Sequence, residues 1–383
     1  MKNKVAIVIP THKAEFNELE MISLDRALKV FEHYDIYFAL PETLKCFVPD
    51  GIKIQRFDDL WFSSFEMYNK MMVTKEFYER FVDYEYILIY QLDAFVFEDK
   101  LEYFCNLGYD YIGAPWLYGV FNYVSYDKAI WHVGNGGLSL RKVDSAISLL
   151  EKKRDIELCG EYDIFLEDVF WASCNENSFK IASIDIALQF SFEGNVRECF
   201  ERNQCKLPFG CHAWEKWDLV FWKEYIENCG YSIPLKYLSM GRQDDKKEVI
   251  EARKKRIHFW EHIFDKTQFS NYFKGKFVSQ EDKVVIWGAG YWGRVLHQIL
   301  VDAGVLVDAF IDKKGGKHIK RRKECPVITW EEYVKSDLHT NIVVAIWDVD
   351  VKIEDALKQR GYVYKKDYIF IRDLDMLVSN IQE

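Results

Sequence analysis

The feature that most constrains this chain is the stretch Tyr84–Phe97, which reads YEYILIYQLDAFVF. It contains the unbroken apolar run Ile87–Tyr90, which is rich in β-branched and aromatic side chains. Such a run predicts a strand that is buried on both faces, as in a parallel sheet covered by helices. The run ends at Gln91-Leu92-Asp93, so Asp93 follows the C-terminal end of a central strand, where α/β sheets bind ligands. Asp93 either holds a hydrated divalent cation there or caps the turn that follows the strand.

The order of the other predicted elements indicates an α/β fold. Lys4–Ile9 predicts a strand, Glu18–Phe31 a helix and Ile36–Leu40 a second strand. This βαβ opening predicts a doubly wound, mixed but mostly parallel sheet flanked by helices. Leu60–Phe81 has helical periodicity and leads into the Tyr84–Phe97 strand.

Composition and charge exclude several classes of protein. The chain has 383 residues, enough for two domains, and its 49% hydrophobic content excludes a disordered chain. Residues 1–240 hold 25 Lys or Arg and 38 Asp or Glu, a balance of −13, which makes a poor surface for nucleic acid. No apolar stretch approaches the roughly 20 residues that a membrane span requires. The nine cysteines form no CxxC pair, so we expect a cytoplasmic protein with reduced thiols.

A cluster of glycines follows in the segment Trp131–Arg141, which reads WHVGNGGLSLR. We interpret it as a glycine-rich loop around Asn135, Gly136 and Gly137 that runs into a strand or a helix start. Glycine permits positive φ and close approach of the backbone to a ligand. The loop is therefore either part of a binding site or a tight structural turn.

Two further motifs carry titratable side chains. Glu167 and Asp168 begin an apolar segment that is predicted to be helical, where acids either interact with the helix dipole or act in catalysis. His212 lies in a turn between aromatic residues and is either structural or a ligand. Trp116 and Trp214 either stack on a sugar or pack in the core, and core packing is favoured.

Taken in this order, the motifs resemble those of the GT-A glycosyltransferases, which use nucleotide-sugar donors. The resemblance is to enzymes of the fringe and β1,3-galactosyltransferase kind. It is closer to an uncharacterised bacterial family with a YxLDxF strand, a YIGAPW segment, a GNGGLSLR loop and an EDVFW motif. It spans residues 1–235 and implies a GT-A-like sheet in a domain that we place at residues 1–240.

The resemblance implies a role for each motif. Asp93 matches the last acid of an Asp-x-Asp motif and would hold a divalent metal, Mn²⁺ or Mg²⁺, with His212 as a second ligand. Gln91 departs from that motif and would hydrogen-bond the ribose. Asp168, more than Glu167, would be the catalytic base, and a single base implies inversion at the anomeric carbon. The donor would also contact two loops, formed by Pro10, Thr11 and His12 and by Asn135, Gly136 and Gly137.

A charged linker is predicted after the first domain. Residues 241–282 are dense in both signs of charge and have a helical pattern. Such a helix either bridges two domains in solvent or lies peripherally on the anionic inner face of a membrane, where a lipid-linked acceptor would be found.

Residues 283–383 predict a smaller Rossmann-like domain. Its first predicted strand, Val284–Trp287, runs into a GxGxxG motif and an amphipathic helix, and the next strand, Val307–Ile311, ends at an acid. This context is typical of nucleotide binding, with the phosphate at the helix N-terminus. The alternative is an interaction module, because two aromatic residues lie inside the motif. The candidate binding residues are Gly288, Gly290, Gly293 and Asp312.

From these motifs we expect a bacterial glycosyltransferase of the hexosyltransferase type. It would transfer a sugar from a UDP-linked donor to a glycan or lipid-linked acceptor in the synthesis of surface polysaccharide, capsule or lipopolysaccharide. One alternative is a nucleotide-sugar-modifying enzyme whose chemistry lies in residues 283–383. Another is a non-catalytic scaffold that binds nucleotide sugars. No nucleic acid is expected as a partner.

Overall fold

Two compact units make up the part of the chain that the computed structural model describes. The described residues are 2–118, 120–121, 129–130, 133–152, 166–174, 179–238, 283–313, 321–322, 325–336, 340–346 and 351–374. One unit comprises the described residues up to 238, and the other those from 283 onward. The predicted helix 241–282 lies outside the described residues, and the domain boundaries predicted beside it stay predictions.

A six-stranded mixed sheet forms the centre of the first unit. The strands of this unit are β1 (Asn3–Pro10), β2 (Asp35–Pro41), β3 (Lys53–Phe57), β4 (Tyr84–Tyr90), β5 (Phe95–Val96), β6 (Tyr111–Pro115), β7 (Val120–Phe121), β8 (Ala129–Ile130), β9 (Val133–Lys142), β10 (Ser191–Phe192) and β11 (Gly210–Cys211). The sheet has the order β3-β2-β1-β4-β9-β6. The first four of these strands are parallel, and β9 is antiparallel to both of its neighbours. The predicted α/β class with a mixed, mostly parallel sheet is therefore confirmed.

The central strands are buried on both faces, as the apolar run predicts. In β1, Ile7 packs into the core on one face while Ala6 packs into the core on the other. In β4, Leu88 and Ile87 divide between the same two cores. Side chains alternate between the faces of a strand, so a continuous apolar run fills both cores at once.

Helices and short turns cover the sheet. The helices of the first unit are α1 (Glu18–Val30), α2 (Phe65–Met71), α3 (Lys75–Glu79), α4 (Leu101–Asn106), α5 (Val143–Lys152), α6 (Glu167–Ser173), α7 (Ile184–Phe190), α8 (Val196–Arg202) and α9 (Leu219–Asn228). The helical periodicity of Leu60–Phe81 is confirmed, but the stretch forms several short helical elements. Ser64 and Thr74 accept hydrogen bonds as N-caps, and they divide this stretch into a 3₁₀ turn, α2 and α3. In the described residues, no helix has the length and apolar character to cross a lipid bilayer.

The second unit is also an α/β sandwich around a mostly parallel sheet. Its strands are β12 (Val284–Trp287), β13 (Val307–Ile311), β14 (Arg321–Arg322), β15 (Cys325–Ile328), β16 (Asn341–Val344) and β17 (Tyr368–Phe370), and its helices are α10 (Tyr291–Asp302), α11 (Trp330–Lys335) and α12 (Val351–Gln359). The sheet has the order β14-β15-β13-β12-β16-β17, and only β14 is antiparallel among these described strands. The strand, glycine motif and helix that open this unit lie where the sequence predicts them.

Candidate functional site

A cleft opens at the carboxyl ends of β1 and β4. The two strands are parallel neighbours, with Val8 beside Ile89, and the chain continues from β1 to β2 on the side away from β4. Such a reversal of strand order is the place where α/β sheets bind ligands. The cleft has a volume of about 620 Å³. It is lined by Pro10, Thr11, His12, Lys13 and Glu20, by Phe62, Ser63, Ser64, Phe65 and Tyr68, and by Gln91, Leu92, Asp93, Glu215 and Lys216.

A small three-stranded sheet brings distant residues to the floor of this cleft. Its order is β10-β11-β5, and Cys211 pairs with Phe95. His212 follows β11 directly and Asp93 precedes β5, so the antiparallel pairing of these two strands places the two residues side by side. The backbone N–H of His212 also donates to Phe192 O at 2.9 Å, which places Glu193, the residue after β10, beside the imidazole.

Asp93 lies between two cationic side chains. His212 Nε2 is 3.1 Å from Asp93 Oδ1, and Lys216 Nζ is 2.7 Å from Asp93 Oδ2. Burial alone would raise the pKa of Asp93, but the charges of His212 and Lys216 outweigh burial and lower it below the usual carboxyl range. Asp93 is therefore ionised, and both of its oxygens are engaged.

His212 is held in a buried polar cluster. Its Nε2 lies 3.2 Å from Gln91 Oε1 as well as near Asp93, and its Nδ1 lies 3.4 Å from Glu193 Oε1. Burial lowers the pKa of His212, but Asp93 and Glu193 outweigh burial and raise it to about 10. The imidazole is therefore positively charged at neutral pH.

The predicted metal pair, Asp93 and His212, is adjacent but is not arranged to hold an ion. Lys216 already occupies the second oxygen of Asp93, and His212 Nε2 faces Asp93 and Gln91 rather than the cleft. Glu193 lies at the opposite nitrogen of the ring. No group of three His, Cys, Asp or Glu side chains in the described ranges could hold a metal ion. In this arrangement the residues do not fit a divalent ion, and dependence on Mn²⁺ or Mg²⁺ stays a prediction.

Gln91 connects the floor of the cleft to one of its walls. Its Nε2 donates to the hydroxyl of Tyr68 at 2.9 Å, and its Oε1 faces His212 at 3.2 Å. Its backbone N–H donates to Gly137 O at 2.9 Å. Gln91 lines the cleft, as the predicted contact with the ribose requires. Its side chain also helps to fix the positions of Tyr68 and His212.

The predicted glycine-rich loop is wrong for the described part of the segment, which belongs to strand β9 from Val133 onward. Its glycines are required by close packing rather than by positive φ. A Cβ on Gly137 would lie 2.0 Å from His212 Nε2, and a Cβ on Gly136 would lie 1.9 Å from Glu167 Oε1. Asn135 is buried, and its Oδ1 accepts from the N–H of Gly137 at 3.2 Å. Of the described residues that line the cleft, none belongs to this strand, so its predicted contacts with the donor stay predictions.

Glu167 belongs to a buried ion pair with Arg141. Each oxygen of Glu167 lies 2.9 Å from a nitrogen of the guanidinium, and Arg141 is 1% exposed. Arg141 also donates to the hydroxyl of Tyr78 at 3.0 Å. An arrangement with both oxygens paired favours a structural role for Glu167, which leaves Asp168 as the candidate base.

Asp168 lies in the first turn of α6 and is half-buried. Burial raises its pKa, and the nearby charges of Glu167 and Glu193 raise it further above the usual carboxyl range. Such a carboxyl group can take up a proton near neutral pH, which a general base requires. Asp168 is not among the described residues that line the cleft, and its charge interaction with Glu193 relates it to the cluster around His212.

Two tryptophans follow the favoured prediction of core packing. Trp214 is 0% exposed, and its Nε1 donates to Ser23 Oγ at 3.1 Å. Trp116 is half-buried, and its ring would lie 2.0 Å from a Cβ on Gly134. Trp214 therefore has no face available for a sugar, and Trp116 serves as packing for β9.

Sequence reasoning missed several residues of the site. Lys216 and Glu215 follow His212 closely in the sequence. The basic side chain of Lys216 near that turn was the sequence signal that could have indicated a binding residue. Burial and Asp93 raise the pKa of Glu215 to about 6. Phe65 is 72% exposed at the edge of the cleft, but a helical pattern alone does not distinguish it from a core residue. No sequence pattern indicated Glu193 as a site residue, because its position beside His212 depends on strand pairing within the small sheet.

Two glycines of the motif in the second unit are required by the local structure, and the third is not. Gly288 has a φ of +114°, which favours glycine, and a Cβ on Gly293 would lie 1.7 Å from Gly288 O. A Cβ on Gly290, the N-cap of α10, would meet no described atom within 4 Å. Asp312 Oδ2 accepts from the N–H of Ala289 at 3.0 Å, so this acid already holds the loop. A nucleotide at this loop stays a prediction.

Comparison with known proteins gives one family match and several similar structures. A family model described as "Protein of unknown function (DUF5672)" matches residues 51–212. No curated protein matches the sequence. Three solved structures are similar to the chain.

The first is an active-site mutant of LgtC, with 13% identity, a TM-score of 0.38 and coverage of 61% of this chain and 98% of that one. The second is the galactosyltransferase LgtC in complex with donor and acceptor sugar analogues, with 12% identity, a TM-score of 0.37 and coverage of 61% and 99%. The third is a glycosyltransferase involved in glycosylation of the major capsid of PBCV-1, with 11% identity, a TM-score of 0.36 and coverage of 60% and 100%. At these TM-scores the similarity gives no evidence about function. The evidence for function therefore comes from the residues of the cleft.

Proposed function

We propose that the first unit is a glycosyltransferase that binds a nucleotide-sugar donor in the cleft at the ends of β1 and β4. The observation that carries this proposal is the composition of the cleft. An exposed aromatic side chain, Phe65, borders one wall, and the polar floor holds Gln91 and Asp93 beside the ammonium group of Lys216. A volume of about 620 Å³ is within the range of pockets that enclose a small organic ligand.

The donor would lie across the cleft with its diphosphate toward Lys216. The base and ribose would rest against the loop of Pro10, Thr11 and His12, where Thr11 is tied to β2 by a 3.1 Å hydrogen bond from its N–H to Ala39 O. The amide of Gln91 would meet a ribose hydroxyl. The positive charge of Lys216 would oppose the charge that develops on the leaving diphosphate.

Asp168 would act as the base that takes the acceptor proton. Its raised pKa suits this role, because a base is most effective when its pKa lies near the working pH. One base and no covalent nucleophile imply inversion at the anomeric carbon. The proposal includes a UDP-linked donor, a glycan or lipid-linked acceptor and a role in the synthesis of bacterial surface polysaccharide. It also includes a second unit that acts as a nucleotide-binding or interaction domain.

A screen of nucleotide sugars by thermal shift tests this function, with Mn²⁺ and with EDTA in parallel. A ligand at about 100 times its Kd stabilises the fold by about 2.7 kcal/mol, which raises the unfolding temperature measurably. The wild type should respond, and Phe65→Ala should respond less because it removes an aromatic face from the cleft. Val220→Ala, at an exposed apolar residue that is not among those lining the cleft, is the control and should respond like the wild type. A screen in which no nucleotide sugar shifts the wild type would refute the proposal.

A second candidate function is favoured by the space beside Gly290, which no described atom fills. If this space holds a phosphate at the start of α10, the second unit would carry nucleotide-sugar-modifying chemistry or a scaffold site. Gly290→Val would place a branched side chain in this space, where a Cβ meets no described atom within 4 Å. Loss of the whole thermal response in Gly290→Val would transfer the function to the second unit. An unchanged response assigns the ligand to the first unit.

A further inference from the structure

We infer that Lys216 supplies the cation that binds the donor diphosphate, in place of a divalent metal on Asp93. This inference rests on the proposed function. Lys216 Nζ lies 2.7 Å from Asp93 Oδ2, and both side chains line the cleft. The carboxylate that would otherwise hold an ion instead orients an ammonium group.

The ammonium group has the capacity to bind a ligand as well. A lysine has three N–H donors, and in the described part of the chain Asp93 is the hydrogen-bond partner of Lys216. The Lys216 side chain is 58% exposed, compared with 16% for Asp93. One donor therefore fixes the position of the nitrogen, and two donors are left for phosphate oxygens in the cleft.

The neighbours of Asp93 explain why an ion has no ready place there. His212 occupies Oδ1 from the buried side and Lys216 occupies Oδ2 from the cleft side. A metal on Oδ2 would have to displace Lys216 and would then lie next to a second cation. Gln91 replaces the carboxylate that an Asp-x-Asp motif would offer, so this strand end has one acid where the motif would have two.

The other charged groups of the cleft do not substitute for Lys216. Lys13 also lines the cleft and pairs with Glu20, but it directly follows the loop of Pro10, Thr11 and His12, where the base and ribose rather than the diphosphate are expected. Glu215 also lines the cleft, and burial keeps its carboxyl group more readily protonated than an exposed one. Two cations lie beside Asp93 at the end of the central strand, and Lys216 is the exposed one, while His212 is buried behind the carboxylate.

Isothermal titration of the full chain with UDP, GDP, ADP and dTDP tests the inference. Each titration is done in EDTA and in Mn²⁺, with the wild type, Lys216→Met and Lys206→Ala. Methionine keeps the length of the lysine stem and removes the charge. Lys206 is exposed and is not among the residues that line the cleft, which makes it the matched control.

At least one nucleoside diphosphate should bind the wild type in EDTA, with a Kd within about 3-fold of that in Mn²⁺. Lys216→Met should weaken this binding at least 10-fold, and Lys206→Ala should leave it unchanged. Binding by the wild type in Mn²⁺ alone, or equal binding by Lys216→Met in EDTA, would overturn the inference and leave the proposed function standing. Absence of binding for all four ligands in both buffers would overturn the proposed function itself.

Discussion

The imidazole of His212 lies behind Asp93, with Nε2 3.1 Å from Oδ1, although the two residues are far apart in sequence. The antiparallel pairing of β5 and β11 creates this contact. Because Gly137 has no side chain, the ring has room to reach the carboxylate. The pair is therefore a result of the small sheet, and it fixes the side chain that forms the floor of the cleft.

Stability should depend on the charge of His212. Its pKa is raised from 6.5 to about 10 in the folded protein, so the contribution of this pair is complete below about pH 6.5 and is lost as the pH rises through about 10. His212→Gln should lower the free energy of unfolding at pH 7 by about 3 kcal/mol, the lower end of the cost of breaking a buried pair. Urea denaturation between pH 6 and pH 10.5 measures this difference, which should shrink over that range.

His33→Gln is the control for that series, because the His33 side chain is 58% exposed and pairs with Asp99 at the surface. Its curve should follow that of the wild type. Parallel pH curves for the wild type and His212→Gln would show that His212 is not charged in the folded state.

The ion pair of Glu167 with Arg141 should matter for stability. Glu167→Gln leaves the buried guanidinium without its opposite charge and should cost about 3–5 kcal/mol of unfolding free energy. Asp168→Asn in the same turn should cause no loss, because burial already disfavours the charged form of Asp168. Chemical denaturation of both variants at pH 7 compares them. Equal losses would contradict the structural role of Glu167.

Gly137 should tolerate no side chain while His212 is present. In Gly137→Ala the new Cβ would fall 2.0 Å from His212 Nε2, and such overpacking costs about 1–3 kcal/mol. The clash should disappear once the ring is removed, so Gly137→Ala should cost far less in a His212→Ala background. A double-mutant cycle measures this coupling. Additive effects of the two substitutions on the free energy of unfolding would mean that the His212 ring does not lie against Gly137.

Asp168 should control turnover rather than donor binding. Asp168→Asn should lower the rate of transfer by about 10²–10⁴ and leave the Kd of the donor nearly unchanged. Because the base must be deprotonated and its pKa is raised, the wild-type rate should increase with pH well above the usual carboxyl range near pH 4. Steady-state rates between pH 4 and pH 9 test both points. An acid limb near pH 4, or a parallel loss of donor binding in the variant, would contradict this role.

The elements that sequence predicts well here are those set by local pattern. The βαβ opening and the buried β4 strand follow from apolar runs in the sequence, and the strands lie where those runs predict them. The glycine segment of β9 differs from the predicted loop because the absence of a side chain has two structural uses. It permits unusual φ, and it also makes room for a neighbour such as His212, which only the tertiary structure supplies.

The candidate site was predictable only in part for the same reason. Asp93 follows a strand, so its position could be derived from the chain itself. The partners of Asp93 come from a separate sheet, and no periodicity connects Lys216 to β4. The metal prediction depended on a motif, while the ammonium group beside Asp93 is visible only in three dimensions.

The position of a bound nucleoside diphosphate tests the central claim most directly. A crystal structure of the full chain, soaked with the nucleotide that gives the largest thermal shift, measures that position. We predict the base near Phe65 and the loop of Pro10 and Thr11, and a phosphate oxygen within hydrogen-bond distance of Lys216 Nζ. A nucleotide bound at the Gly288–Gly293 loop with an empty cleft would contradict the account.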